Sequence, residues 1–286
     1  MLCKLMKVLR SFLFALLFLG LGSCTEEDLN NILNPGGLSD SEIAQGLREA
    51  LVVGTDTSVA QLNRPGGYLN DLAVKILLPP ALQQNIADLK ATNINLGITS
   101  ISGEQLYNGT TVFGITIPGL RSKEDELIEG INRAAEQAAG TAAPIFVNAI
   151  TDISISDAND ILFGGVDTAA TAYLRQNTYG NLFNLYEPQM ENALQQVKIG
   201  NTSVVDSYED FVGDYNQLLN TSIPGFGSIA SLAGLQPVGA TDLSAYGTGK
   251  GLDGLFLKIA EEEEDIRRDP LARVSDLLAR VFGQLD

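Results

Sequence analysis

The chain has 286 residues, 45% of them hydrophobic, and a formal net charge of −17, with no histidine and two cysteines. That length can bury the core of one large domain or two small ones, and so acidic a surface repels phosphate backbones, which argues against nucleic acid as a partner. Lack of histidine removes the usual general base of nucleophilic triads and the commonest transition-metal ligand.

Lys4, Lys7 and Arg10 form a basic start, Phe12 to Gly22 an apolar run, and small residues then precede Cys24, the layout of a cleaved export signal over residues 1–23. The run is too short to span a bilayer, which takes about 20 residues at helical rise. Leu21-Gly22-Ser23-Cys24 resembles the lipobox of bacterial lipoproteins. That resemblance implies cleavage between Ser23 and Cys24, a thioether-linked diacylglycerol on Cys24 and acylation, typically by palmitate, of the new amino terminus. Several acyl chains hold a protein stably on a membrane. The expected location is therefore the bacterial cell envelope, anchored by lipid to the outer membrane on its periplasmic or surface face. An ordinary secretory peptide that happens to end in cysteine is the alternative. Cys3 would leave with the leader, so no internal disulfide and no free thiol are expected in the mature chain. Losing the leader would also make the protein three charges more acidic.

Residues 24–37 are polar, and their composition predicts a flexible tether. Glu26, Glu27 and Asp28 resemble the surface-export signal of some Gram-negative lipoproteins, or are a solvated part of that tether. The folded part is predicted over 38–286. Ser39 with Glu42 forms a capping box and Leu38 with Ile43 a hydrophobic staple, and apolar or small residues then recur at Leu47, Ala50, Leu51 and Gly54, predicting a helix. Arg64-Pro65-Gly66-Gly67 is a turn, followed by a short extended or helical stretch to Leu78. Pro79-Pro80 opens a helix to about Lys90.

Between Asn93 and Gly119 the pattern alternates, with Ile94, Leu96 and Ile98 before an Asn108-Gly109 turn and Val112, Ile115 and Ile117 after it. This predicts a small β-hairpin inserted in a helical body, or a mobile loop. Helices are then expected over Ser122–Gly140, with Leu127, Ile131, Ala134, Ala135 and Ala138 in one arc, and from about Ala142 to Asp152. A short helix capped by Ser156 should stop at Gly164-Gly165. Asp167 is placed to cap the next, from Thr168 to about Val197, with possible kinks at Gly180 and Pro188. Asp206–Leu219 is amphipathic, Thr221–Thr241 irregular, and two closing helices, Asp242–Arg268 and Leu271–Phe282, are separated at Pro270. The fold class expected is all-α, a multi-helix, bundle-like single domain with a small β-hairpin insertion.

Asn132-Arg133-Ala134-Ala135-Glu136, Asp157 through Gly165, Asp167-Thr168-Ala169-Ala170-Thr171 with Tyr173, and Leu252-Asp253-Gly254-Leu255-Phe256 leading through Ile259-Ala260-Glu261-Glu262-Glu263, Ile266-Arg267 and Pro270 resemble the bacterial domain-of-unknown-function family 4197. The resemblance extends from Leu38 to Phe282. It implies an exported, mostly helical protein of unassigned activity. The Asn93–Gly119 segment departs from the family pattern, and Gly247, Gly249 and Gly251 fall where the family is more regularly helical.

Without histidine or a free thiol, carboxylate, hydroxyl, lysine or hard-cation chemistry remains. A pair of carboxylates held about 5–10 Å apart could hydrolyse glycosides, but 35 acidic residues make some such pair inevitable. Gly247-Thr248-Gly249-Lys250-Gly251 is not a phosphate loop, because Ser244 stands at its first glycine and Gly251 where the magnesium-binding hydroxyl belongs. Asp157, Asn159 and Asp160 do not make a calcium loop, since Ile161 and Leu162 occupy an oxygen ligand's place and the glycine's. No catalytic residue, metal site or cofactor is therefore assigned.

Glu263 is the exception in a solvated acidic run. Glu263 and Glu264 could meet Arg267 and Arg268 one turn on. Yet Leu252, Phe256, Ile259 and Ile266 define an apolar arc that includes Glu263, and a carboxylate facing a core must be paired. A polar cluster is thus predicted in which Glu263 meets Arg133 or Arg175, with Asn132, Glu136 and Asp167 nearby. Against this, the helical wheel turns Arg133 and Glu136 away from the Leu127/Ile131 stripe, so either a second helix covers them or they are surface. The cluster could be structural pairing, an Arg/Glu-lined pocket for a small anionic ligand, or an exposed patch for an envelope protein. The functional expectation is a lipid-anchored structural or interaction protein. The alternatives are a small-molecule-binding module and a carboxylate-dependent hydrolase.

Overall fold

The computed structural model describes residues 37–152 and 154–286. The expected signal peptide, Ser23–Cys24 cleavage point and Cys24 lipid attachment, and nearly all of the expected tether, lie outside the described residues. The architecture is all-α with small two-stranded hairpins.

Helix α1 (Asp40–Leu62) opens on the expected capping box, Ser39 and Glu42 each binding the other's backbone amide. Residues 63–79 are a run of turns rather than one strand or helix, burying Tyr68, Val74, Ile76 and Leu78 while Leu72 and Leu77 face outward. Helix α2 (Pro80–Ala91) starts on proline, whose missing N–H costs nothing there.

The 93–119 segment differs from the single hairpin expected. It holds two hairpins, β1 (Asn93–Asn95) with β2 (Ser100–Ser102) and β3 (Thr110–Val112) with β4 (Ile115–Ile117), separated by helix α3 (Gly103–Asn108). The reason is a second capping box, Ser102 with Gln105, which starts a helix that absorbs Asn108. Gly109, at φ 89°, therefore ends that helix, and the hairpins turn at Gly97 and Gly114 instead.

Helix α4 (Arg121–Ala139) falls where its apolar arc placed it, and α5 (Ala142–Asp152) spans the residues expected. The short α6 (Ala158–Phe163) begins at Asp157, not on a Ser156 cap. Helix α7 (Ala169–Gln196) runs unbroken through Gly180 and Pro188. After hairpin β5–β6 (Lys198–Ile199, Thr202–Ser203), helix α8 (Val204–Asn220) leads to hairpin β7–β8 (Ser222–Ile223, Gly227–Ser228) and α9 (Ile229–Ala233), so the expected irregular segment is partly ordered.

Helix α10 (Leu243–Arg268) is continuous across its glycines. Two of them permit close packing: a Cβ on Gly251 would come within 2.9 Å of Met190, and one on Gly254 within 2.7 Å of Tyr68. The last helix, α11 (Asp276–Phe282), starts five residues later than the proline predicts, because Pro270–Ala272 form a 3-10 turn and Ser275 supplies the cap. Among the described residues no helix is long and apolar enough to cross a membrane.

Candidate functional site

Glu263 and Arg267 stand one turn apart on α10 and are both buried, with side chains 1% and 2% exposed. The Glu263 carboxylate accepts from the amides of Ala170 and Thr171 at 3.0 and 2.7 Å, from the Thr171 hydroxyl at 2.7 Å and from Arg267 Nε at 3.0 Å. Arg267 donates onward to the carbonyls of Leu162 and Ile161 at 2.9 and 3.0 Å. One ion pair thus satisfies orphan amides at the start of α7 and orphan carbonyls at the end of α6, each charge lying at the helix end its sign favours. Arg273 repeats the device for α10, donating to the carbonyls of Ile266 and Arg267 while both Asp286 carboxylate oxygens hold it at 2.7 Å.

The expected partners of Glu263 are corrected by this geometry. Arg133 lies on a half-exposed face of α4 beside Glu129 and Glu136, and Arg175 pairs with Asp253 nearer the surface. Asp167 does not cap α7; it binds Arg268, and Thr168 is the capping position, with Glu263 doing the work of its side chain. The pair was visible in the sequence as a one-turn neighbour. What could not be read there is that α6 arrives to use the guanidinium.

Asn132 and Glu136 form a separate centre on α4. Asn132 grips the backbone of Ile76 from both sides, accepting from its N–H at 2.8 Å and donating to its carbonyl at 2.7 Å. Glu136 accepts from the amides of Gly66, Tyr68 and Leu69 at 3.0, 3.3 and 3.3 Å. The face opposite the Leu127/Ile131 stripe is covered, but by the turns of residues 64–78 rather than by a helix. The six predicted residues therefore do not converge on one cluster.

Two of them, Asn132 and Glu263, brace a common feature. A groove of about 570 Å³ is walled on one side by Val74, Lys75 and Leu77 and on the other by Thr168, Thr171 and Arg175, with Lys250, Phe256 and Leu257 from α10 along it. Asn132 fixes Ile76, so its neighbours Lys75 and Leu77 turn outward; Glu263 fixes Ala170 and Thr171 at the head of the opposite wall. The Tyr246 hydroxyl, 3.0 and 3.1 Å from the carbonyls of Leu77 and Leu78, ties α10 to the first wall. Burial raises the pKa of that hydroxyl, which remains protonated near neutrality.

Arg175 is already committed, bound to Asp253 and lying over the rings of Tyr179 and Phe256 at 5.0 and 5.3 Å. Lys75 and Lys250 have no ion pair or side-chain hydrogen bond among the described residues. The other described lysines, Lys90, Lys123, Lys198 and Lys258, each hold a carboxylate or a carbonyl. Neither groove lysine was predicted. Lys250 sits in the rejected glycine loop and Lys75 in a stretch read only as extended or helical, and no spacing in the sequence joins them. Among the described residues, no group of acidic side chains is arranged to hold a metal ion.

Fold and site together define an all-α protein whose buried Glu263–Arg267 pair caps helix ends and whose two unpaired lysines, among the described residues, line one surface groove. The chain belongs to the family described as protein of unknown function (DUF4197), whose model matches residues 37–102 and 111–283. All the groove residues named above lie inside that match. The part it omits is α3 with Gly109 and Thr110, so the departure from the family is narrower than the whole Asn93–Gly119 segment. No curated protein and no solved structure matches the chain.

Proposed function

We propose that this is a lipid-anchored envelope protein that acts by binding, with the groove between residues 73–77, α7 and α10 as its site. The lipobox-like Leu21–Cys24 and the basic, apolar leader before it support the anchor, and the acidic tether from Glu26 to Asp28 suits a protein held off an outer-membrane surface. The observation that carries the binding reading is the pair of lysines, unpartnered among the described residues, on one braced groove of an otherwise acidic molecule. A protein of net charge −17 has carboxylates to spare, so two ammonium groups left without them mark a place where an external partner completes the pairing.

Two measurements test this. Mass spectrometry of the protein from its native membranes should find a diacylglyceryl Cys24 as the first residue; an unmodified Cys24 or another start overturns the anchor. A small-molecule fraction of envelope extract should raise the melting temperature of the wild type but not of Lys75→Ala/Lys250→Ala, since a ligand of the folded state stabilises it by mass action. Equal shifts in both, or none, overturn the site.

A further inference from the structure

We infer that the ligand of this groove is a free, single-chain anionic amphiphile, its head bound by Lys75 and Lys250 and its chain laid along Leu77 and Leu257; the inference rests on the binding reading above. Charge comes first. Lys75, Lys250 and Arg175 face one carboxylate, Asp253, and that carboxylate is held by Arg175, which leaves two positive charges uncompensated in the groove. The start of α7 adds none, because Glu263 already occupies the amides of Ala170 and Thr171. The head group must therefore be anionic and must meet the lysines. The acidic body outside the groove opposes a polyanion, which favours a ligand whose charge is confined to one small head.

The walls decide the rest. Leu77 and Leu257 are 44% and 39% exposed, while Phe256 behind them is buried. Large apolar side chains left accessible beside two free ammonium groups fit a ligand with a charged end and a hydrocarbon body. About 570 Å³ falls in the range of about 300–1,000 Å³ usual for sites that take one small molecule. Arg175 is held by stacking and by Asp253, so it serves as wall.

The test uses the processed chain, residues 24–286, with Cys24→Ser so that no lipid or detergent is present. Calorimetric titration below micelle-forming concentrations would compare dodecanoate and dodecyl phosphate with dodecyltrimethylammonium. Both anions should bind at one site, at least about tenfold more tightly than the cation, and Lys75→Glu/Lys250→Glu should weaken them by at least about tenfold, equivalent to about 1.4 kcal/mol. Equal affinity for the two head-group signs, or anion binding unchanged in the charge-reversed variant, overturns the inference. So does lysine-dependent flotation with phosphatidylglycerol vesicles in the absence of dodecanoate binding, since the source of the head group would then be a bilayer. So does lysine-dependent binding of a peptide spanning Thr25–Gly36 but not of dodecanoate. If neither amphiphile sign binds while the envelope fraction still stabilises the protein through the two lysines, the ligand class fails and the binding reading stands. If the fraction is silent as well, both fail.

Discussion

Of the three acidic residues that helix α10 pairs with arginine, Asp253 with Arg175 and Glu263 with Arg267 make the comparison, the third being Glu264 with Arg268. The first pair has side chains 42% and 45% exposed and touches the groove; the second is 1% and 2% exposed and satisfies backbone groups from two other helices. Burial accounts for the contrast. A charge taken from water must regain its lost hydration from fixed partners, so Glu263 and Arg267 accumulate amides, a hydroxyl and carbonyls until their polar capacity is used. At the groove, water supplies what the protein does not, and Lys75 and Lys250 can remain free for a ligand. In this molecule the deep charges are structural, and the available ones are shallow.

The sharpest way to break that contrast is Arg267→Ala. It strands a buried carboxylate and two helix-end carbonyls and should cost about 3–5 kcal/mol in denaturant unfolding, whereas Arg175→Ala should cost less than about 1 kcal/mol. Replacing the buried pair together, Glu263→Leu/Arg267→Met, should recover part of the loss. If Arg267→Ala were as mild as Arg175→Ala, water would be reaching the junction and the distinction would collapse.

Glu136→Ala comes next. It frees the amides of Gly66, Tyr68 and Leu69 at a cost of about 1–3 kcal/mol. Hydrogen exchange at those three positions should rise with exchange in α1 unchanged, and loosening of the 64–78 wall should weaken groove binding without touching the lysines. Unaltered protection would show that the turns hold themselves.

Acidity separates the partly buried carboxylates by environment. Burial raises the pKa of Glu124 and Glu262 above the ordinary 4.5, so their ionised forms oppose folding and stability should grow as pH falls through those raised values toward 4.5. Asp71 behaves oppositely. Its hydrogen bond to Lys258 and the Ala73 amide hold it below the ordinary 3.8, a contribution present above that value and lost as pH falls through the lowered one. Melting temperature should therefore peak on the mildly acidic side, and Glu124→Gln/Glu262→Gln should flatten that rise.

The smallest effect sharpens the comparison most. Lys75→Ala/Lys250→Ala should alter stability by no more than about 0.5 kcal/mol, since neither ammonium group has a partner to lose among the described residues. A larger loss would make the groove lysines structural as well.

Local signals in the sequence went a long way toward the helices. Ser39 with Glu42, Pro80, and the Leu127/Ile131 arc each act within a turn or two, and so does the inward turn of Glu263, fixed by Ile259 and Ile266 on its own flank. The hairpin segment escaped because two local signals competed there: Ser102 with Gln105 started a helix before Asn108-Gly109 could make its turn. The role of Gly251 and Gly254 escaped because it lies in a neighbour's surface, Met190 or Tyr68, which α10's own sequence cannot show.

The amino-acid order by itself determined an acidic, all-helical chain without histidine and the position of one carboxylate that had to be buried, because periodicity and capping are properties of adjacent residues. Tertiary structure alone decided that α6 and α7 would bring their ends to Glu263 and Arg267, and that Lys75 would line the same groove as Lys250. Those are meetings between residues far apart in the chain, where chain entropy is overcome only by the packing of the whole core.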